Sequence, residues 1–301
     1  MELLLIFINI VTPVFALVVM GYVAGPRLAL EARTLSRAAY YLFVPAFTFN
    51  VISTASIELT LAARIMVYII IVHVACSLLA FGIAKLLRRS AEITAAYIMI
   101  ASFGNIGNFG LSIVEFGLGE SALVPATFYF IAIVLVGFII CVGAASSVRG
   151  GGGLVAVVEV LKTPAIVAVI PATFFLATSF SVPLSVVRIT SLLGQAMIPV
   201  MLVTLGVQLS EVKKPRINAD VMVATGIRLI GGPVLAILFA AMFGVTGLER
   251  SAGVLQAGMP VAVLVSIIAI EYDIVPEMIT TTTLFSTIAS LFSLTILLSY
   301  L

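Results

Sequence analysis

Residues 102–112 read Ser102-Phe103-Gly104-Asn105-Ile106-Gly107-Asn108-Phe109-Gly110-Leu111-Ser112, three glycines and two asparagines inside a run that is otherwise apolar from 93 to 117. Glycine weakens a helix and asparagine competes for its backbone hydrogen bonds, so a helix is expected to open here. A second break is written at Gln256-Ala257-Gly258-Met259-Pro260. There the proline removes one amide donor and frees a carbonyl one turn back. Backbone groups left unpaired in hydrocarbon cost several kcal/mol each, and such breaks survive only when buried in protein or lining a wet cavity.

The surroundings of both breaks are those of a bilayer protein. The 301 residues are 62% hydrophobic and 9% charged, with a mean hydropathy of +1.31, against roughly 25% charged in soluble domains. Runs long enough to cross are 3–24, 34–56, 62–86, 93–117, 122–147, 163–180, 184–209, 219–243, 247–270 and 276–300, each near the 20 or so residues a span needs. The expectation is an all-α integral membrane protein of ten spans, the first an uncleaved helix. Of the 15 basic residues, 11 fall in loops on one side, from Arg27 to Arg216. Arg64, Arg188 and Arg250 fall on the other side, and Arg228 lies inside span 8. The positive-inside rule then places the chain in the cell membrane with both termini outside. With single scattered charges and no basic stripe, nucleic acid is not a partner. Cys76 and Cys141 lie in apolar runs and imply no disulfide, and no cofactor or metal motif is present.

Shifting the chain by 154 positions lays spans 1–5 on spans 6–10 and superposes Pro45 on Pro199 and Gly104 on Gly258. Each half has an odd number of spans, so the repeat is inverted. The halves are 1–148 and 163–301, joined by a linker over 149–162 that contains Gly150 to Gly153 and lies along the cytoplasmic surface beyond Leu154. Inverted repeats with breaks in equivalent spans are the pattern of secondary transporters, whose substrate site lies near the midplane.

Candidate substrate-binding residues follow from polarity within spans: Asn105, Asn108 and Gly104 at the first break, Gln256, Gly258 and Pro260 at the second, with Asn50, Gln195 and Arg228 elsewhere. Gly107 and Gly110 fit either close helix packing or the site. Arg228, about 13 Å into span 8, has two readings. It attracts an anion, or it snorkels to the headgroups or pairs with a carbonyl freed by Pro233. His73 is the single histidine. It is a candidate for proton coupling or a neutral group bonded to a neighbouring helix. No Asp or Glu sits centrally in a span, which argues against a carboxylate cation site and leaves sodium on the break carbonyls open. Without His-Glu-x-x-His, Gly-x-Ser-x-Gly or Walker motifs, a membrane enzyme, a pump and a non-transporting receptor are the weaker alternatives.

The segment Asn105 to Leu111, the run Gln256-Ala257-Gly258-Met259-Pro260 to Glu271-Tyr272, and Tyr41-Leu42-Phe43-Val44-Pro45 to Asn50 resemble the auxin efflux carrier family, within the bile acid/sodium symporter-like superfamily. Ser112 and Val265 stand where that family usually has proline. The resemblance implies crossing, unwound spans 4 and 9. It further implies a scaffold of spans 1, 2, 6 and 7 that forms homodimers, and a moving unit of spans 3–5 and 8–10. The implied cargo is a small organic anion, auxin-like or a mono- or dicarboxylate.

Overall fold

The computed structural model describes residues 2–149, 161–178, 180–211 and 215–301. Most of the linker expected over 149–162 therefore lies outside the described residues. Among those described, the chain is helical throughout and contains no strand. The helices are α1 (Leu3–Arg27), α2 (32–53), α3 (Leu59–Leu86), α4 (Ala91–Ser102), α5 (Ile106–Leu118) and α6 (Glu120–Val148). They continue with α7 (Pro164–Ala177), α8 (Leu184–Ser210), α9 (Ala219–Met242), α10 (Gly247–Ala257), α11 (Val263–Glu271) and α12 (Pro276–Tyr300). Six of these, α1, α3, α6, α8, α9 and α12, are long and apolar enough to cross a bilayer. The stretches expected as spans 4 and 9 are each two helices, α4 with α5 and α10 with α11. The helix in the 163–180 stretch ends at Ala177, because Thr178 turns to extended backbone.

Prolines shape several helices in one way. The segments Phe7–Val11, Ala39–Phe43 and Ile227–Gly231 are π-helical, each closed by a hydrogen bond five residues back: Thr12 to Phe7, Val44 to Ala39 and Gly232 to Ile227. Two positions beyond each segment stands a proline, Pro13, Pro45 or Pro233. A proline ring collides with the carbonyl four residues back, and the extra residue of a π-turn moves that carbonyl aside. The segment Ile106–Gly110 in α5 is built the same way, with Leu111 bonded to Ile106, yet the position that elsewhere holds proline is Ser112. Its hydroxyl donates to the Asn108 carbonyl at 3.2 Å, capping the group a proline would have left free.

Packing divides the helices into two groups. In the first, α1 lies against α8, α8 against α2, and α2 against α7. The α1–α8 contact is backbone on backbone, since a Cβ on Gly21 would strike the Val203 carbonyl and one on Gly206 the Val18 carbonyl. In the second group, α3, α4, α6 and α9–α12 pack on one another. Tyr68 donates to the Ala236 carbonyl, Tyr129 to the Glu249 carbonyl and Tyr97 to Asp220, while Arg89 pairs with Asp220 at 2.8 Å. The groups meet over an apolar seam, where Phe15 of α1 sets its ring edge-on to Phe109 of α5 with centroids 5.1 Å apart.

The π-turn at 106–110 yields a test. Ser112→Pro is expected to cost less than the ~1 kcal/mol of one hydrogen bond, whereas Val114→Pro in the same helix should cost about 3 kcal/mol or more. Thermal unfolding of the two purified variants in detergent compares them, and equal losses would mean that the π-turn does not prepare position 112 for proline.

Candidate functional site

The two breaks cross. Past Ser102 the chain turns extended at Phe103, with φ −131° and ψ 100°. Asn105, at φ −77° and ψ 60°, makes an inverse γ-turn closed by the Ile106 N–H on the Gly104 carbonyl at 2.8 Å. The second break runs from Gly258 to Ala262. Gly104 lies antiparallel and opposite Val261. The Asn105 N–H donates to the Pro260 carbonyl at 2.6 Å, and the Ala262 N–H donates to the Phe103 carbonyl at 3.1 Å. The remaining Val261 N–H is taken by the Ser286 hydroxyl of α12 at 3.1 Å. Each broken strand thus satisfies the other, as two edge residues of a sheet would. Gly104, which the repeat shift aligns with Gly258, has Val261 as its partner across the crossing.

Four helix ends meet at this crossing. The C-terminal ends of α4 and α10 arrive with unpaired carbonyls and partial negative charge, and the N-terminal ends of α5 and α11 leave it with partial positive charge. Arg228, within the π-turn of α9, serves the first pair. Its Nε donates to the Met259 carbonyl at 2.8 Å, its Nη1 to the Ala101 carbonyl at 2.8 Å and its Nη2 to the Gln256 carbonyl at 3.4 Å. The side chain is fully buried. The snorkelling reading is therefore wrong. Arg228 does bond to carbonyls, but to those of the two breaks, because the π-turn directs it inward. Gly104 makes room for it, since a Cβ there would overlap Nη2 and sit 2.9 Å from Cζ.

Beside α5, three buried polar atoms have no partner among the described residues: Asn105 Nδ2 and both amide atoms of Gln256. Gln256 is wholly buried and Asn105 5% exposed, so water does not easily stand in. The Gln256 oxygen lies against Gly110, whose Cβ it would collide with. Asn108 is half-buried on α5 and makes no side-chain bond within the described residues.

The other candidates are placed differently. Pro260 supplies a carbonyl to the crossing. Gly258 is a packing position, where a Cβ would meet Leu297 at 2.7 Å and Pro233 at 3.4 Å. Gly107 likewise faces Phe130 and Met201. Asn50 accepts from Thr190 at 3.4 Å, within the first helix group. Gln195 is exposed and donates to Ser191 of its own helix. Neither bonds to the crossing. His73 is buried, its Nδ1 2.9 Å from the Ile69 carbonyl. That partner belongs to its own helix, which corrects the expected bond to a neighbour, and its Nε2 is unpartnered.

Sequence reasoning passed over Ser286. The signal was present in Thr280-Thr281-Thr282-Thr283 and the hydroxyls that follow it in α12, where Thr281, Thr282, Thr283, Ser286, Thr287 and Ser290 are all buried. Most of these bond to carbonyls of their own helix, and only Ser286 also reaches the crossing.

Two crossed helix breaks at the centre of a helical membrane protein are an arrangement that membrane transport proteins use. The membrane transport protein family matches residues 6–147 and 153–298, and the chain belongs to that family, the auxin efflux carriers its motifs resemble. It is 28% identical over 302 residues to a protein of Rhizobium meliloti named "Putative malonate transporter", covering 96% of this chain and 94% of that one. It is 27% identical over 292 residues to an "Uncharacterized transporter" of Methanothermobacter thermautotrophicus, covering 94% and 95% respectively.

A buried amide without partners costs stability in the empty protein, and replacing it with a hydrocarbon of like shape removes that cost. Gln256→Leu is accordingly expected to leave the ligand-free protein as stable as wild type or more so, by about 1 kcal/mol. It should also lose the rise in unfolding temperature that a bound substrate confers. A strongly destabilised Gln256→Leu would show instead that the amide is already satisfied.

Proposed function

We propose that this protein is a secondary carrier for a small organic anion. In this reading the twelve helices are ten spans in two inverted repeats, with α4–α5 and α10–α11 as broken spans 4 and 9. The observation that carries the reading is the division of labour at the crossing. Arg228 neutralises the two negative helix ends, while the buried, unpartnered amides of Asn105 and Gln256 lie beside α5, Asn105 at its start and Gln256 against Gly110. A carboxylate fits what remains, because helix N-termini and amide N–H groups are its natural donors.

The substrate lies between the α5 and α11 N-terminal ends, with Asn105 Nδ2 and the Gln256 amide as donors and Asn108 at the half-open side. Alternating access is of elevator type: α1, α2, α7 and α8 form a scaffold through which two copies associate, and the other helices move against it with the substrate. The Phe15–Phe109 contact on the seam supports sliding, since an apolar ring contact is not a directional bond that motion must break. The membrane is the cell membrane, with both termini outside. The relative named for malonate supports a short mono- or dicarboxylate as cargo.

Uptake into proteoliposomes tests the reading. Labelled malonate, and a panel of mono- and dicarboxylates as competitors, should show saturable counterflow. Asn105→Ala should reduce flux tenfold or more while leaving the protein folded, because Asn105 contributes a donor at the break rather than packing. Wild-type flux through a folded Asn105→Ala protein would remove Asn105 from the site, and no flux of any carboxylate would overturn the cargo class.

A further inference from the structure

We propose that Arg228 is a resident cation. Its guanidinium occupies the place at the crossing where a coupling sodium ion would otherwise sit, so that the carrier works without sodium. The proposal rests on the carrier reading above for its meaning in transport, but not for its chemistry.

The charge stands at mid-span, fully buried, where an isolated cation is costly. No ion pair to it forms among the described residues. Its acceptors are three backbone carbonyls, those of Ala101 and Gln256 in the last turns of α4 and α10 and that of Met259 in the break that follows α10. Unwound carbonyls at half-helix C-terminal ends are the ligands with which broken-helix carriers hold sodium. Here the planar fork of the guanidinium meets all three at once, which a lysine ammonium on its flexible stem would not. The fit is close on the far side too, because any side chain at Gly104 would displace the group. With those oxygens engaged and that space filled, a metal ion has neither ligands nor room. The positive charge then travels with α9 and its neighbours and partly offsets the charge of the anion.

The experiment uses the full-length protein in detergent and in proteoliposomes. Replacing sodium by choline should leave the wild-type unfolding temperature and carboxylate flux unchanged, within about twofold for flux. Arg228→Ala should unfold at lower temperature and recover on addition of methylguanidinium, and in its absence should be stabilised by sodium over choline. Gly104→Ala, which pushes the guanidinium off its carbonyls, should reproduce the loss seen in Arg228→Ala, and Arg228→Lys should fall between that variant and wild type. A tenfold fall in wild-type flux without sodium, or an Arg228→Ala protein that neither methylguanidinium nor sodium stabilises, would overturn the proposal. If Arg228→Ala cannot be purified, the wild-type sodium comparison and Gly104→Ala decide. Rescue by methylguanidinium in a protein that moves no carboxylate would leave the resident cation standing and the carrier reading refuted.

Discussion

Backbone polar groups inside a bilayer must be paired, and this structure meets that demand under its hardest condition, with four helix ends at one point of crossing. Two solutions are combined. The broken strands bond to each other across Gly104 and Val261, and a single guanidinium collects the carbonyls that this pairing leaves. What remains unmet at the crossing, among the described residues, is the first N–H groups of the helix starts, the Asn105 side-chain amide N–H and both amide atoms of Gln256. Two of these three side-chain atoms are donors, and that excess is what the proposed anion would use.

The same constraint explains features away from the crossing. Pro13 in α1, Pro45 in α2 and Pro233 in α9 each follow a π-turn, so that no carbonyl is stranded against the ring. In α9 that turn also sets the direction of Arg228, and in α5 it persists with Ser112 in the proline position. Glycines act at contacts where no Cβ fits: Gly21 and Gly206 between α1 and α8, and Gly104 beneath Arg228. Gly107 and Gly110, read from sequence as either packing or site residues, are packed against Phe130 and Gln256 respectively.

Much of this could be read from composition and punctuation. Hydropathy gave the helical class, and the glycines, asparagines and proline at 102–112 and 256–260 located both breaks, because backbone chemistry is local. Partners were not legible. The 154-position shift aligns residues by identity and says nothing of which residues pair across the crossing, where hydrogen bonds set Gly104 against Val261. Arg228 stood out as a buried charge, but the inward turn of its side chain depends on a π-turn that hydropathy does not encode. Asn50 and Gln195 are polar in apolar runs like Gln256, yet one bonds to Thr190 and the other faces outward. Only the three-dimensional packing separates them. Ser286 was hidden among hydroxyls that bond to their own helix.

The central claim is the separation of roles at the crossing, with Arg228 on the carbonyl ends and the anion on the amide ends. An experimental structure with malonate bound tests it directly. A carboxylate is expected within hydrogen-bond reach of the Asn105 amide at the start of α5 and of the Gln256 amide opposite Gly110, with Arg228 still bonded to Ala101, Gln256 and Met259. Density for the anion on a guanidinium turned away from those carbonyls, or beside Asn50 and Gln195, would contradict it.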